Sequence, residues 1–241
     1  MSLKKIKQFI NYKTSLDKIH RSNDDIYAIN IIHKLFDSPC YLPFTPFSLN
    51  PYTILHVLND ILLNNRKVVF EFGTGLSTIV ISKFIKINNL SVEFFSIDDN
   101  KEWQNLILKE LKKNKCDNKV QMSCCELKEL DNTQLNCLDN MFWYDLNELE
   151  KTKNRITSNI DLLLVDGPST DSSKFNRYPA VPFLHDKLSS NVAIYLDDTR
   201  RSGEEEILYK WNELLAGKIQ YEKMYGTIVK GSSFSCRPLS H

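Results

Sequence analysis

The sequence predicts a doubly wound α/β fold, with a mostly parallel seven-stranded sheet, helices on both faces and an N-terminal helical extension. Three observations predict it. Short apolar runs at 67–72, 160–165 and 192–196 do not alternate with polar residues, which is the pattern of strands covered on both faces. Segments with helical periodicity lie between such runs. Four strands end in acidic or glycine-bearing turns, at Glu71/Gly73, Asp98, Asp166 and Asp197/Asp198, and doubly wound sheets bind ligands at that edge.

Bulk properties narrow the class. The 241 residues suffice for one α/β domain with a sizeable core, after residues 1–50 are set aside as a helical cap and proline-rich linker before the domain at 51–241. A net charge of +1 gives no general attraction to nucleic acid or to a membrane surface. No apolar run approaches the ~18 residues of a membrane span, and the first residues lack the apolar centre of a signal peptide. The six cysteines form no C-x-x-C pair and no zinc spacing, so they read as reduced thiols of a cytoplasmic protein. A homodimer is compatible with all of this.

Taken in order, residues 1–36 show helical spacing at Ile6, Phe9, Ile10, Ile26, Ile29, Ile32 and Leu35, with a break near 21–25. Four of the eight prolines fall in 38–51, which must be extended or turning. A helix at 52–64 follows, capped near Asn50. The strand at 67–72 runs into Gly73-Thr74-Gly75 and a helix at 77–88. A strand at 91–97 ends in Asp98-Asp99-Asn100 ahead of a helix at 101–113, and a third strand spans 119–124. Residues 127–159 read as polar and irregular around the aromatic island Phe142-Trp143-Tyr144. The strand at 160–165 stops at Asp166-Gly167-Pro168. A helix opens after Arg177 and runs to about residue 188. The strand at 192–196, a helix at 203–215 and a closing strand pair at 219–225 and 234–237 complete the chain.

The glycine turn carries the first chemical signal. Gly73 and Gly75 let the backbone turn sharply beside a ligand, and the helix behind them aims its amides and positive dipole end at the same space. Glu71 is a carboxylate in an otherwise apolar strand, which is costly unless paired. Asp98 lies about 20 residues beyond the turn, where an acidic group meets ribose hydroxyls, with Asp99 as the alternative. A dinucleotide fingerprint requires a third glycine where this chain has Thr78, and no Tyr-x-x-x-Lys pair stands at the right place. A NAD- or nucleotide-sugar-dependent oxidoreductase is therefore the second reading. Arg177, Arg200 and Arg201 either bind an anionic acceptor or neutralise the nearby aspartates.

The string EFGTGLST (71–78) resembles motif I of the class I S-adenosylmethionine-dependent methyltransferases. The strings VDGP (165–168), RYPA (177–180) and LDDTRR (196–201), with Trp211 downstream, resemble a bacterial subgroup related to the catechol-type O-methyltransferases. The resemblance covers residues 40–237. It implies S-adenosylmethionine-dependent methyl transfer, with oxygen of a small-molecule or saccharide-like acceptor as the target. Glu71, Gly73, Thr74, Gly75, Ser77 and Thr78 would surround the methionine part of the cofactor. Asp98 and Asp99 would take the ribose, Cys125 and Glu126 the adenine, and Asp166 would border the cofactor. Catalysis would fall to Asp166, Asp197 and Arg177, through one of two routes. Either Asp166, Asp197 and Asp198 hold a metal such as Mg2+, or one carboxylate, Asp166 first, acts as general base. The proline-rich segment would be a linker or would lie over the glycine loop with Thr45 and Ser48. A non-catalytic S-adenosylmethionine-binding protein would keep only the first half of this pattern.

Overall fold

The computed structural model describes residues 22–37, 40–131, 133, 135, 137, 141–169, 173–222 and 224–240. The helical spacing expected in 1–21 lies outside them. Residues 22–33 form one helix, α1, so the expected break does not reach residues 22–25. Ile32 is fully buried and packs in one cluster with Ile54 and Leu76.

The expected alternation of strand and helix is present. After residues 40–50, which form no helix or strand, come α2 (Pro51–Leu63), β1 (Val68–Phe72), α3 (Leu76–Ile87), β2 (Glu93–Asp98), α4 (Lys101–Lys113) and β3 (Gln121–Cys124). The second half comprises β4 (Leu127–Leu130), β5 (Met141–Tyr144), α5 (Leu146–Lys153), β6 (Ile160–Val165), α6 (Ala180–Leu184), β7 (Leu188–Leu196), α7 (Ser202–Leu215), β8 (Lys218–Tyr221) and β9 (Gly226–Lys230). Asn50 caps α2 by accepting from the Tyr52 amide at 3.0 Å, with Pro51 at the first helical position.

The sheet has seven strands in the order β3-β2-β1-β6-β7-β9-β8. Six strands run in one direction, and β9, between β7 and β8, is antiparallel to both neighbours. Chain direction across the sheet reverses between β1 and β6, so a crevice opens beyond their carboxyl ends. Along β1, Val68, Phe70 and Phe72 face a core shared with α5, α6 and α7, while Val69 faces α2, α3 and α4. Both faces are dry, which explains the absence of polar alternation.

Two sequence expectations are corrected. Residues 127–130 and 141–153 are regular where irregular chain was expected: β4 and β5 pair antiparallel, and α5 follows, capped by Asp145, which accepts from the Asn147 amide at 2.9 Å. The two strands have only four residues each, too short for periodicity to separate from loop. The closing hairpin pairs Lys218–Tyr221 with Gly226–Lys230, and residues 234–237 form no strand. Gly226 opens a strand because α7 crosses closely there. A Cβ on Gly226 would stand 2.5 Å from Leu208 Cδ2.

One buried ion pair ties α2 to the sheet. Arg66 Nε donates to Asp60 Oδ1 at 2.8 Å, and Tyr195 of β7 donates to Asp60 Oδ2 at 2.8 Å. Nearby His56, for which the sequence offers no partner, meets the Tyr225 hydroxyl at 2.6 Å, and burial lowers its pKa to about 4, so the ring is neutral. Replacing Asp60 with Ala leaves the Arg66 charge buried without its partner. The expected cost is about 3–5 kcal/mol, read from the urea midpoint of unfolding.

Candidate active site

The glycine loop is fixed from below by Glu71. Its carboxylate is fully buried and points to the α3 face of the sheet, where Ser77 Oγ and Thr78 Oγ1 donate to it at 2.5 Å each and Ser96 Oγ at 2.7 Å. Burial raises its pKa to about 7, against the opposing pull of those three hydroxyls. Thr78 also accepts from the Gly75 amide at 2.8 Å. This accounts for the residue at the place of a third glycine: its hydroxyl links the loop backbone to the carboxylate. Gly73 has φ +100, and a Cβ there would lie 3.0 Å from the Asp166 carbonyl carbon and the Gly167 nitrogen. A Cβ on Gly75 would meet nothing within 4 Å, because that side opens into a cavity.

The cavity, of about 760 Å³, lies at the carboxyl edge of the sheet, a size usual for small-molecule sites. Gly73, Thr74, Gly75 and Ser77 form one wall, and Asp98, Asp99 and Trp103 another. Asp98 Oδ1 accepts from the Asn100 amide at 2.8 Å, and Asn100 caps α4 by accepting from the Trp103 amide at 2.9 Å. Burial raises the pKa of Asp98 to about 6. Trp103 does more than pack, since its indole N–H donates to the Thr74 carbonyl at 2.7 Å and holds the loop from the side. Phe44, Thr45, Phe47 and Ser48 line the cavity from above, so the proline-rich segment faces the glycine loop. The Thr45 and Ser48 hydroxyls lie 3.1 Å apart and bond each other.

Asp166, Asp197 and Asp198 meet where β6 and β7 end. Each offers a carboxylate oxygen within 4.8 Å of the others. The strand ladder sets their backbones: the Asp166 amide donates to Phe72 O at 2.9 Å and the Asp197 amide to Val165 O at 3.1 Å. Asp198 is turned by a left-handed backbone, φ +60, which Asp tolerates better than most residues. Arg177 NH2 reaches Asp166 O at 2.9 Å, Asp166 Oδ1 at 3.3 Å and Asp198 Oδ2 at 3.5 Å, and NH1 reaches Asp197 O at 3.3 Å. Trp211 anchors the strand of chain behind it by donating to Tyr178 O at 2.7 Å. Desolvation, opposed by Arg177, raises the pKa of Asp166 to about 7; desolvation and the two neighbouring carboxylates raise that of Asp197 well above the carboxylate range. Asp197 Oδ1 is buried with no hydrogen-bond partner.

Of the residues expected at the site, Gly73, Thr74, Gly75, Ser77, Asp98, Asp99, Asp166, Arg177, Asp197 and Asp198 line the cavity. Four others stand elsewhere. Glu71 and Thr78 lie beneath the loop and position it. Cys125 is buried in the core and Glu126 is exposed beside β4, and neither lines the cavity. β3 ends at Cys124 as expected, and the Cys125 amide bonds Asp98 O at 2.9 Å while its side chain is buried. Arg177 is buried on the aspartates, which is the neutralising alternative, while Arg200 is exposed. Tyr144 and Met224 line the cavity without any sequence signal beyond an aromatic run and a lone methionine.

No protein-family model matches the chain, and no curated protein matches its sequence. Solved structures do match. A precorrin-6y C5,15-methyltransferase of Geobacter metallireducens aligns at TM-score 0.54 and 11% identity, over 82% of this chain and 98% of that one. A Podospora anserina methyltransferase bound to SAH aligns at 0.53 and 12%, over 92% and 96%. The O-methyltransferase TomG of Streptomyces achromogenes, in complex with SAM, aligns at 0.50 and 14%, over 88% and 90%. This chain therefore has the Rossmann-like methyltransferase fold, as its strand order also states.

Two outcomes are expected of the loop anchor. Thr78→Val keeps the shape but strips the Gly75 amide and Glu71 of a partner; it should cost about 1–3 kcal/mol in thermal unfolding, whereas Thr78→Ser should not. Because the folded pKa of Glu71 is raised, its contribution to stability is complete below about 4.5 and is lost as pH rises through about 7. Between about pH 5 and about pH 8, wild type should therefore lose more stability than Glu71→Gln, measured by melts across that range.

Proposed function

We propose that this chain is an S-adenosylmethionine-dependent methyltransferase of the bacterial, cytoplasmic subgroup marked by its VDGP, RYPA and LDDTRR strings. In this reading it transfers a methyl group to oxygen of a small-molecule or saccharide-like acceptor. One observation carries the proposal. A single cavity joins a glycine loop at a helix N-terminus, an acidic residue at the end of β2 and a carboxylate cluster at the ends of β6 and β7.

When bound, S-adenosylmethionine supplies an electrophilic methyl carbon on a sulfonium. The amides of the glycine loop and the start of α3 suit the cofactor's carboxylate. Asp98 suits the two ribose hydroxyls. The open side of Gly75 leaves space for a ligand to approach the backbone. Acidic residues around the cavity favour a cationic cofactor over its neutral product. In the transfer, the acceptor oxygen bonds the methyl carbon as the sulfur–carbon bond breaks, and the electron pair stays on sulfur. The acceptor's proton passes to a carboxylate, for which Asp166, at the cavity and with a pKa of about 7, is suited. Arg177 positions Asp166 and Asp198.

The same cluster fits a hard divalent cation such as Mg2+. Its donors are all oxygen, and Asp197 Oδ1 is buried without a partner. Asp166, Asp197 and Asp198 would hold the ion, which would lower the acceptor's pKa.

Calorimetry with S-adenosylmethionine, S-adenosylhomocysteine and NAD should give heat with the first two; heat with NAD alone overturns the reading in favour of the oxidoreductase. Asp197→Ala should leave S-adenosylhomocysteine binding intact and lower methyl transfer by roughly 100-fold or more, and unaltered transfer would remove the cluster from catalysis. Loss of wild-type transfer on chelation assigns the cluster to a metal, and transfer that persists assigns the proton to Asp166.

A further inference from the structure

We infer that the hydroxyl of Tyr144 is a hydrogen-bond donor to the adenosyl end of the bound cofactor, an inference that rests on the methyltransferase reading. Tyr144 ends β5 and lines the cavity while being only 1% exposed. Its ring is locked, stacked on Phe72 with centroids 5.5 Å apart and planes at 19°, and set edge-on to Trp143 at 4.9 Å. Packing therefore explains the ring. It does not explain the oxygen, which is buried with no hydrogen-bond partner. A phenylalanine would pack as well and would avoid the cost of an unpaired hydroxyl.

The position of that oxygen indicates what it serves. A Cβ on Gly167 would stand 2.7 Å from it, and the same Cβ would stand 2.9 Å from Gly73 Cα. The hydroxyl thus sits at the meeting point of the turns after β1 and β6, in the floor of the crevice. Its charged neighbours are Asp98 and Asp99 on one side and Arg177 on the other. Burial keeps the phenol protonated, so the group can donate. Phe72 and Tyr144 belong to the core facing α5, α6 and α7, whereas Glu71 and the start of α3 lie on the other face. The cofactor's carboxylate belongs with α3, which leaves the nucleoside, next to Asp98, for Tyr144. Ring nitrogens of adenine and ribose oxygens all accept hydrogen bonds, so either can partner the hydroxyl.

Tyr144→Phe tests this through two readouts, of which a purely structural hydroxyl would leave the first unchanged and lower the second. S-Adenosylhomocysteine should bind about tenfold more weakly by calorimetry. The ligand-free protein should melt at the same temperature as wild type or higher, because an unpaired polar atom has been removed, so the stabilisation by ligand shrinks. Unchanged affinity in the variant, beside normal binding by wild type, overturns the inference and leaves the methyltransferase reading in place. A lower ligand-free melting temperature with unchanged affinity assigns the hydroxyl to the fold instead. Wild type that binds neither S-adenosylmethionine nor S-adenosylhomocysteine overturns both.

Discussion

The buried carboxylate of Glu71 is the constraint on which the site depends. β1 has no exposed residue, so an acidic side chain within it must find its partners inside the protein. It finds Ser77 and Thr78 on α3 and Ser96 on β2, and in doing so it fixes where α3 starts relative to the strand. Everything between, Gly73 to Leu76, must follow the path those bonds leave. Other elements hold the same path: the Gly73 amide bonds Ile97 O at 2.8 Å, Thr74 meets Ser96 at 2.9 Å, and Trp103 of α4 bonds the Thr74 carbonyl. The loop therefore has its shape before any ligand arrives, and little ordering remains to oppose binding.

The second half of the rim is under a different constraint, that of three carboxylates against two arginines. Arg177 contacts Asp166 and Asp198 while also holding backbone oxygens of Asp166 and Asp197, and Arg201 pairs with Asp198 at 3.1 Å. A guanidinium committed as Arg177 is neutralises one charge and stiffens the turn, but cannot also seize a substrate anion. The charge left over must be met by a proton, by a metal ion or by a cationic ligand. The raised pKa values of Asp166 and Asp197 express the first of these in the ligand-free protein. The unpartnered Asp197 oxygen and the strained turn at Asp198 indicate that the geometry is kept for something other than stability.

How much of this was legible in the sequence varies with the physics of each element. Ile160–Val165 and Lys101–Lys113 could be read to the residue, since a dry parallel strand and a capped amphipathic helix each leave a strong pattern. The rim carboxylates were legible because chain direction alone puts strand ends on one edge. The role of Glu71 was half legible: its cost in an apolar strand showed that it must be paired, but sequence could not tell a ligand from the Ser77, Thr78 and Ser96 hydroxyls. Cys125 and Glu126 follow the end of β3 where the sequence puts them, but a strand's end does not say which way the next side chains turn: Cys125 packs in the core and Glu126 is exposed. The β4–β5 pairing, and Tyr144 with it, left only the aromatic island as a signal, since four-residue strands carry too little periodicity to be told from loop.

The two halves of the cavity also differ in what holds them. The glycine loop, Asp98 and the carboxylate cluster are positioned by the sheet, at the ends of β1, β2, β6 and β7. The opposite wall comes from residues 44–50, from Ile29 of α1 and from Met224 in the turn before β9, none of them on a strand. Phe47 there is 92% exposed, so folding gains little from a large ring at that position. On the methyltransferase reading, the sheet thus fixes the cofactor and the chemistry, and connecting segments shape the space left for the acceptor. On that reading, the residues that would choose the acceptor are those whose replacement costs the fold least.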